Sequence, residues 1–295
     1  MKTHSAFYLI FLVATLASSP IQAQTYYNWM SSDIRDAWTQ GYKGQGTTIT
    51  VIDDYNSTSK FSGNFGDGKN TLLHGEWTFK EISMMAPSAF MSKIDFTQKN
   101  AVSLAAGLNV LNLSYGIFAS ASHTVNQITW DAQDRSIINS AQNGTAISIK
   151  AAGNNAISIT SANSAGQKDF LNLALIGAPT AIFVGALDRN GTTSTKASMA
   201  TYSNFAGTDT NVQKNFVVVG DRGDVTGLNG TSFAAPVISA YAGVLGSKFT
   251  TATATQITNQ LLTTARQDTI LNYNVTIHGR GEASISRALA PVAIK

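Results

Sequence analysis

The apolar positions of this chain fall into blocks whose period changes along its length. Ile34, Ala37 and Trp38 lie on one face of a helix expected over Asp33 to Gln40, with Ser32 as its cap and Gly41 as its stop. The β-branched run Thr47-Thr48-Ile49-Thr50-Val51-Ile52 reads as a strand halted by Asp53-Asp54. Residues 56 to 73 are polar and rich in Gly and Asn, and are expected to be a loop. Beyond it the pattern predicts a strand over Phe90 to Phe96, a helical stretch near Gln98 to Leu108, and a strand running through Val110 to Leu113. A long amphipathic helix is expected from Val125 to Asn143, then a strand over Thr145 to Ala152 and another over Phe216 to Gly220. The segment Val237 to Leu245 is apolar all round, so it must be a buried helix, and Thr255 to Ala265 predicts one more. Strands that alternate with helices imply an α/β fold, a mainly parallel twisted sheet with helices on both faces.

Composition narrows the class without choosing a function. The 295 residues, 43% hydrophobic and 13% charged, suit a globular chain able to bury a large core. No internal repeat or interdomain linker interrupts them. A formal charge of +3, spread along the chain, gives little reason to expect nucleic acid or an anionic membrane as a partner. There is no cysteine, which excludes disulfides and a thiol nucleophile. Lys2, the apolar run Ala6 to Ala17 and the small residues up to Ala23 predict a signal peptide over residues 1–23. That run is too short for the roughly 20 residues needed to span a bilayer. The mature protein is therefore expected to be secreted or periplasmic, and monomeric.

Four short stretches carry candidate chemistry. In Gly227-Leu228-Asn229-Gly230-Thr231-Ser232-Phe233-Ala234-Ala235-Pro236 a serine sits where a helix begins. Its side chain can simply cap that helix. It can also be a nucleophile, because the free N–H groups of a first helical turn favour an oxyanion forming beside it. Asp53 closes a strand, where α/β sheets place their sites, although an arbitrary Asp-Asp pair is more often a surface turn. His74 opens a helical segment, and Asn154 follows Ala152-Gly153 in what is otherwise a turn signal. Gly63 to Asn70 nearly matches a phosphate-binding loop, but it lacks the Ser/Thr for magnesium and no apolar strand feeds it.

These stretches together resemble the subtilisin-like serine proteases, the subtilases. Gly230-Thr231-Ser232-Phe233-Ala234-Ala235-Pro236 is similar to the family's nucleophile motif, Val51-Ile52-Asp53 to its aspartate motif and His74-Gly75 to its histidine motif. Ala151-Ala152-Gly153-Asn154 is similar to its oxyanion segment, and Asn112-Leu113-Ser114-Tyr115-Gly116 to its substrate-pairing strand. Met85 to Ala89 and Ala181 to Leu187 also follow the family pattern. The resemblance implies an Asp53–His74–Ser232 triad with Asn154 and the Ser232 N–H as oxyanion donors. It also implies a substrate-binding wall of Ser114, Tyr115, Gly116, Ala152 and Gly153, with protein or peptide substrates and no cofactor. Structural Ca²⁺ occurs in such enzymes, but no dense acidic loop indicates it here and no metal ligands are assigned. Tyr55, Glu76 and Trp77 depart from the family pattern and keep open an alternative, a catalytically inactive binding module of the same fold. Residues 24–295 are expected to be one peptidase domain with no propeptide evident, and the floor of its specificity pocket goes unassigned.

Overall fold

Three strands of this chain are buried along their whole length, which requires a sheet covered on both faces. The structure, a computed structural model, describes residues 24–295. The signal peptide expected over residues 1–23 lies outside the described residues. Ten strands are present among them: β1 (Thr47–Asp53), β2 (Lys60–Gly63), β3 (Asn70–Leu73), β4 (Phe90–Asp95), β5 (Leu108–Leu113), β6 (Phe118–Ser120), β7 (Ile147–Ala151), β8 (Gln167–Asp169), β9 (Ala181–Leu187) and β10 (Phe216–Gly220). Six of these make one sheet in the order β10-β9-β7-β5-β1-β4, and every neighbouring pair in it is parallel.

Helices cover both faces, as the alternating pattern predicted. One face packs the helices Ser32–Thr39, His74–Met85 and Thr231–Lys248 over Ile49, Val51, Val110 and Ile149. The other packs Ala132–Gln142 and Phe170–Leu175 over Ile52, Leu111, Leu113 and Phe183. The helix Thr231–Lys248 is buried almost throughout, and its glycines set how deep it sits. A Cβ on Gly243 would lie 2.8 Å from Ile49 Cδ1, and one on Gly246 would collide with Leu108. Small residues thus let this helix lie directly on β1 and β5.

The chain leaves β1 first for β4 on one side and then for β5 on the other. Strand order reverses there, and the crevice beyond the carboxyl ends of β1 and β5 is where open α/β sheets bind ligands. Asp53 ends β1, and Ser114 follows β5 directly.

Local structure departs from the sequence pattern in four places. Residues 56 to 73 are not simply a loop, because β2 and β3 form an antiparallel hairpin there. The near-match to a phosphate loop falls at the hairpin's tip, where Lys80 pairs with Asp67 at 2.7 Å. No helix forms near Gln98 to Leu108: the Asn109 side chain takes the backbone groups of Ala105 and Gly107, and Ser136 Oγ accepts from Val102 N. The long helix expected over Val125 to Asn143 is a short 3₁₀ turn, Val125–Gln127, followed by a helix that starts afresh at Ala132 because the Asp131 carboxylate caps it. The first helix is capped by Ser31 rather than Ser32.

Candidate active site

Asp53 is only 1% exposed, yet its carboxylate is fully occupied. Oδ1 lies 2.6 Å from His74 Nδ1 and accepts from Asp54 N at 2.7 Å, while Oδ2 accepts from Thr78 Oγ1 at 2.8 Å. His74 and Thr78 are four residues apart on the helix His74–Met85, so both face the strand end that carries Asp53. Burial pulls the His74 imidazolium down, but the hydrogen bond to Asp53 and the charges of Asp53 and Asp54 outweigh it and hold the pKa above the ordinary 6.5. Phe61 and Phe233 pack on the ring at 5.7 and 5.5 Å between centroids.

The three departures from the family pattern have structural work around this pair. Glu76 accepts from Leu73 N at 2.9 Å and so closes the start of the histidine's helix. Trp77 is fully buried and donates to Phe61 O at 2.8 Å, which ties the hairpin against the imidazole. The Tyr55 ring lies against Gly75: a Cβ on that glycine would be 2.8 Å from the ring and from Asp54 O. Gly75 N donates to Asp54 O at 3.0 Å, which joins the aspartate and histidine segments directly.

Ser232 stands in the first turn of the helix Thr231–Lys248, where N–H groups lack intrahelical acceptors. Its Oγ donates to Ser114 O at 3.2 Å and does not hydrogen-bond His74. In return Ser114 Oγ donates to Ser232 O at 3.0 Å. That carbonyl is free because Pro236, four residues on, has no N–H to give it. Asn154 Oδ1 accepts from both N and Oγ1 of Thr231, at 2.9 and 3.0 Å, which commits the oxygen and leaves the amide nitrogen to face elsewhere. Thr231 Oγ1 also accepts from Gly153 N at 3.0 Å.

Two hollows meet at Ser232 and Asn154. The first, about 290 Å³, is lined by His74, Asn154, Ser232, Phe233, Phe61 and the loop Gly227 to Asn229. The second, about 220 Å³, lies between Ser114, Tyr115 and Gly116 on one side and Gly153, Asn154 and Asn155 on the other. Of the expected wall, Ala152 does not line this second hollow. It is fully buried, and its carbonyl accepts from Asn204 and Asn172 at 3.0 and 3.2 Å.

Several residues that position the site were not found from the sequence. Asn204 and Asn172 hold the Ala152–Asn155 segment, with Asn204 Oδ1 accepting from Asn155 N at 2.9 Å. Lys150 and Asp169 form a buried ion pair at 3.0 Å on the lining of the second hollow. A lysine in a strand buried at every position was the one available signal.

These residues meet at a topological switch point of the parallel sheet, and comparison assigns the chain to a family. The model of the subtilase family (Peptidase_S8) matches residues 65–277, well over half of the chain. The chain belongs to the subtilase family and is a serine-type peptidase. The matched segment contains His74, Asn154 and Ser232 and begins after Asp53. Solved structures share the fold at low identity. MycP1 from Mycobacterium smegmatis superposes with a TM-score of 0.56 at 19% identity, covering 92% of this chain and 86% of that one. A lanthipeptide protease gives 0.55 at 16%, covering 89% and 94%, and the MycP3 protease from the type VII (ESX-3) secretion system gives 0.53 at 18%, covering 88% and 86%. No curated protein sequence matches the chain.

Proposed function

We propose that this peptidase is an exported endopeptidase in which Ser232 is the nucleophile, His74 the general base and Asp53 its orienting partner. The observation that carries the reading is the pairing of Asp53 with His74 on a cleft whose opposite wall holds Ser232 and Asn154. Serine is a poor nucleophile until a base takes its proton. Turning the Ser232 hydroxyl from the Ser114 carbonyl toward the imidazole makes that transfer, leaving Asp53 to stabilise the imidazolium. As Ser232 Oγ bonds the scissile carbon, the carbonyl oxygen becomes an oxyanion received by the Asn154 amide and the Ser232 N–H. His74 then delivers its proton to the leaving amine, and water repeats the sequence on the acyl-enzyme.

The Ser114–Gly116 segment supports binding of an extended peptide, since a strand end offers main-chain donors and acceptors whatever the peptide's sequence. Export is inferred from the leader over residues 1–23. Fluorophosphonate labelling tests the core of the proposal. Wild type is expected to be labelled and Ser232→Ala not; an unlabelled wild type that still binds peptides would make the chain a binding module instead.

A further inference from the structure

The hollow beside Ser232 has a buried ion pair at its base. Lys150 and Asp169 both line it, with side chains 1% and 9% exposed and Nζ 3.0 Å from Oδ2. The ammonium has three protons to donate. One goes to Ala151 O at 2.7 Å, and the charge is paired with Asp169 Oδ2, which leaves donor capacity unused among the described residues. Asp169 Oδ1 is saturated by the N–H groups of Ile117, Leu171 and Asn172, at 3.1, 3.1 and 3.4 Å. Oδ2 takes only the lysine and faces the hollow: a Cβ on Gly116, on its wall, would sit 2.8 Å from it.

The base therefore presents N–H donor capacity on Lys150 and an acceptor lone pair on Asp169 side by side, at no net charge. An aliphatic or aromatic side chain would cover both groups and satisfy neither. A lysine or arginine would bring a second cation onto Lys150, and an aspartate or glutamate a second anion onto Asp169. A primary carboxamide matches the pair, because its C=O accepts from Lys150 while its NH₂ donates to Asp169 Oδ2. About 220 Å³ accommodates such a side chain.

We propose that Lys150 and Asp169 are specificity-determining residues that select substrates with glutamine or asparagine immediately before the scissile bond. This rests on the endopeptidase reading above. The test uses quenched fluorescent peptides identical except at that residue (Gln, Asn, Glu, Lys, Leu, Phe), with wild type, Lys150→Met/Asp169→Leu and Asp169→Asn, each also titrated with fluorophosphonate. Wild type is expected to cut the Gln or Asn peptide with a kcat/KM at least about tenfold above Leu and Phe, consistent with hydrogen-bonding sites rejecting analogues that leave buried polar groups unpaired. The apolar double variant should reverse that order, and Asp169→Asn should reduce the preference without reversing it. A labelled, active wild type that favours Leu, Phe or a charged residue sinks the inference alone, as does an unchanged ranking in labelled variants. If the variants take up no label, the wild-type ranking decides. A wild type that neither labels nor cuts any peptide overturns both the inference and the endopeptidase reading.

Discussion

Asp53 and Glu81 are both buried carboxyl groups met by one face of the helix His74–Met85, and their surroundings are opposite. His74, Thr78 and Glu81 recur at helical spacing along that face. At its start, Asp53 receives hydrogen bonds from an imidazole, a hydroxyl and a backbone N–H. Two turns on, Glu81 is fully enclosed with Oε2 unpartnered, and burial together with the nearby charge of Asp221 pushes its pKa well above the usual value. Asp221 receives Gly230 N at 2.7 Å and the Tyr202 hydroxyl, but burial still raises it to about 6 against those hydrogen bonds. The lesson is that burial does not by itself make a carboxylate a working anion. Donors aimed at a carboxylate oppose the penalty of burial, and Glu81 Oε2 has none.

Substitutions can break this contrast. Asp53→Asn should lower kcat by about 10⁴-fold, the scale on which a triad loses its correct tautomer, and single-turnover kinetics would measure it. The same change should move the acid limb of the pH–rate profile of kcat/KM to lower pH. Wild-type activity falls as His74 gains a proton, at a pKa held above 6.5 chiefly by the carboxylate that the variant neutralises. Removing the Asn154 donor with Asn154→Ala should cost about 10²–10³-fold in kcat with a nearly unchanged KM. Thr78→Val removes one hydrogen bond to the Asp53 charge and should cost about tenfold. An activity loss as large as that of Asp53→Asn would show that the Thr78 hydroxyl, and not the imidazole alone, is needed to hold Asp53 in place.

The other side of the contrast is read in stability. Glu81 and Asp221 have folded-state pKa values above their unfolded ones, so the native state keeps protons that the unfolded chain releases. Stability from this source is greatest below about pH 4 and is lost as pH rises, by about pH 6 for Asp221. Glu81→Gln should therefore raise Tm at pH 8 by about 2–4 °C for each kcal/mol recovered, leave it nearly unchanged at pH 4, and leave kcat alone. Thermal melts at the two pH values check this. An equal shift at both would mean that the gain comes from packing and not from the charge.

Much of this architecture was legible because the sheet strands carry β-branched and apolar runs, and because the residues of the candidate site sit at strand ends or a helix start. Asp53, His74, Asn154 and Ser232 stand in such places, and the fold brings them to one edge. What escaped was decided by side chains acting on distant backbone. Asn109 and Ser136 satisfy a segment whose composition suits a helix, and Asp131 restarts a helix inside a continuous amphipathic pattern. Periodicity has no term for either. The pocket base was hidden for a related reason: Lys150 alone looks misplaced in its strand, and only tertiary structure shows that Asp169 is its partner.

The reciprocal hydrogen bonds between Ser114 and Ser232 join positions 118 residues apart in the chain. Until the helix that begins at Thr231 has docked on the sheet, neither lip of the cleft has its fastening, so both hollows take shape only when segments from distant parts of the chain are already in place.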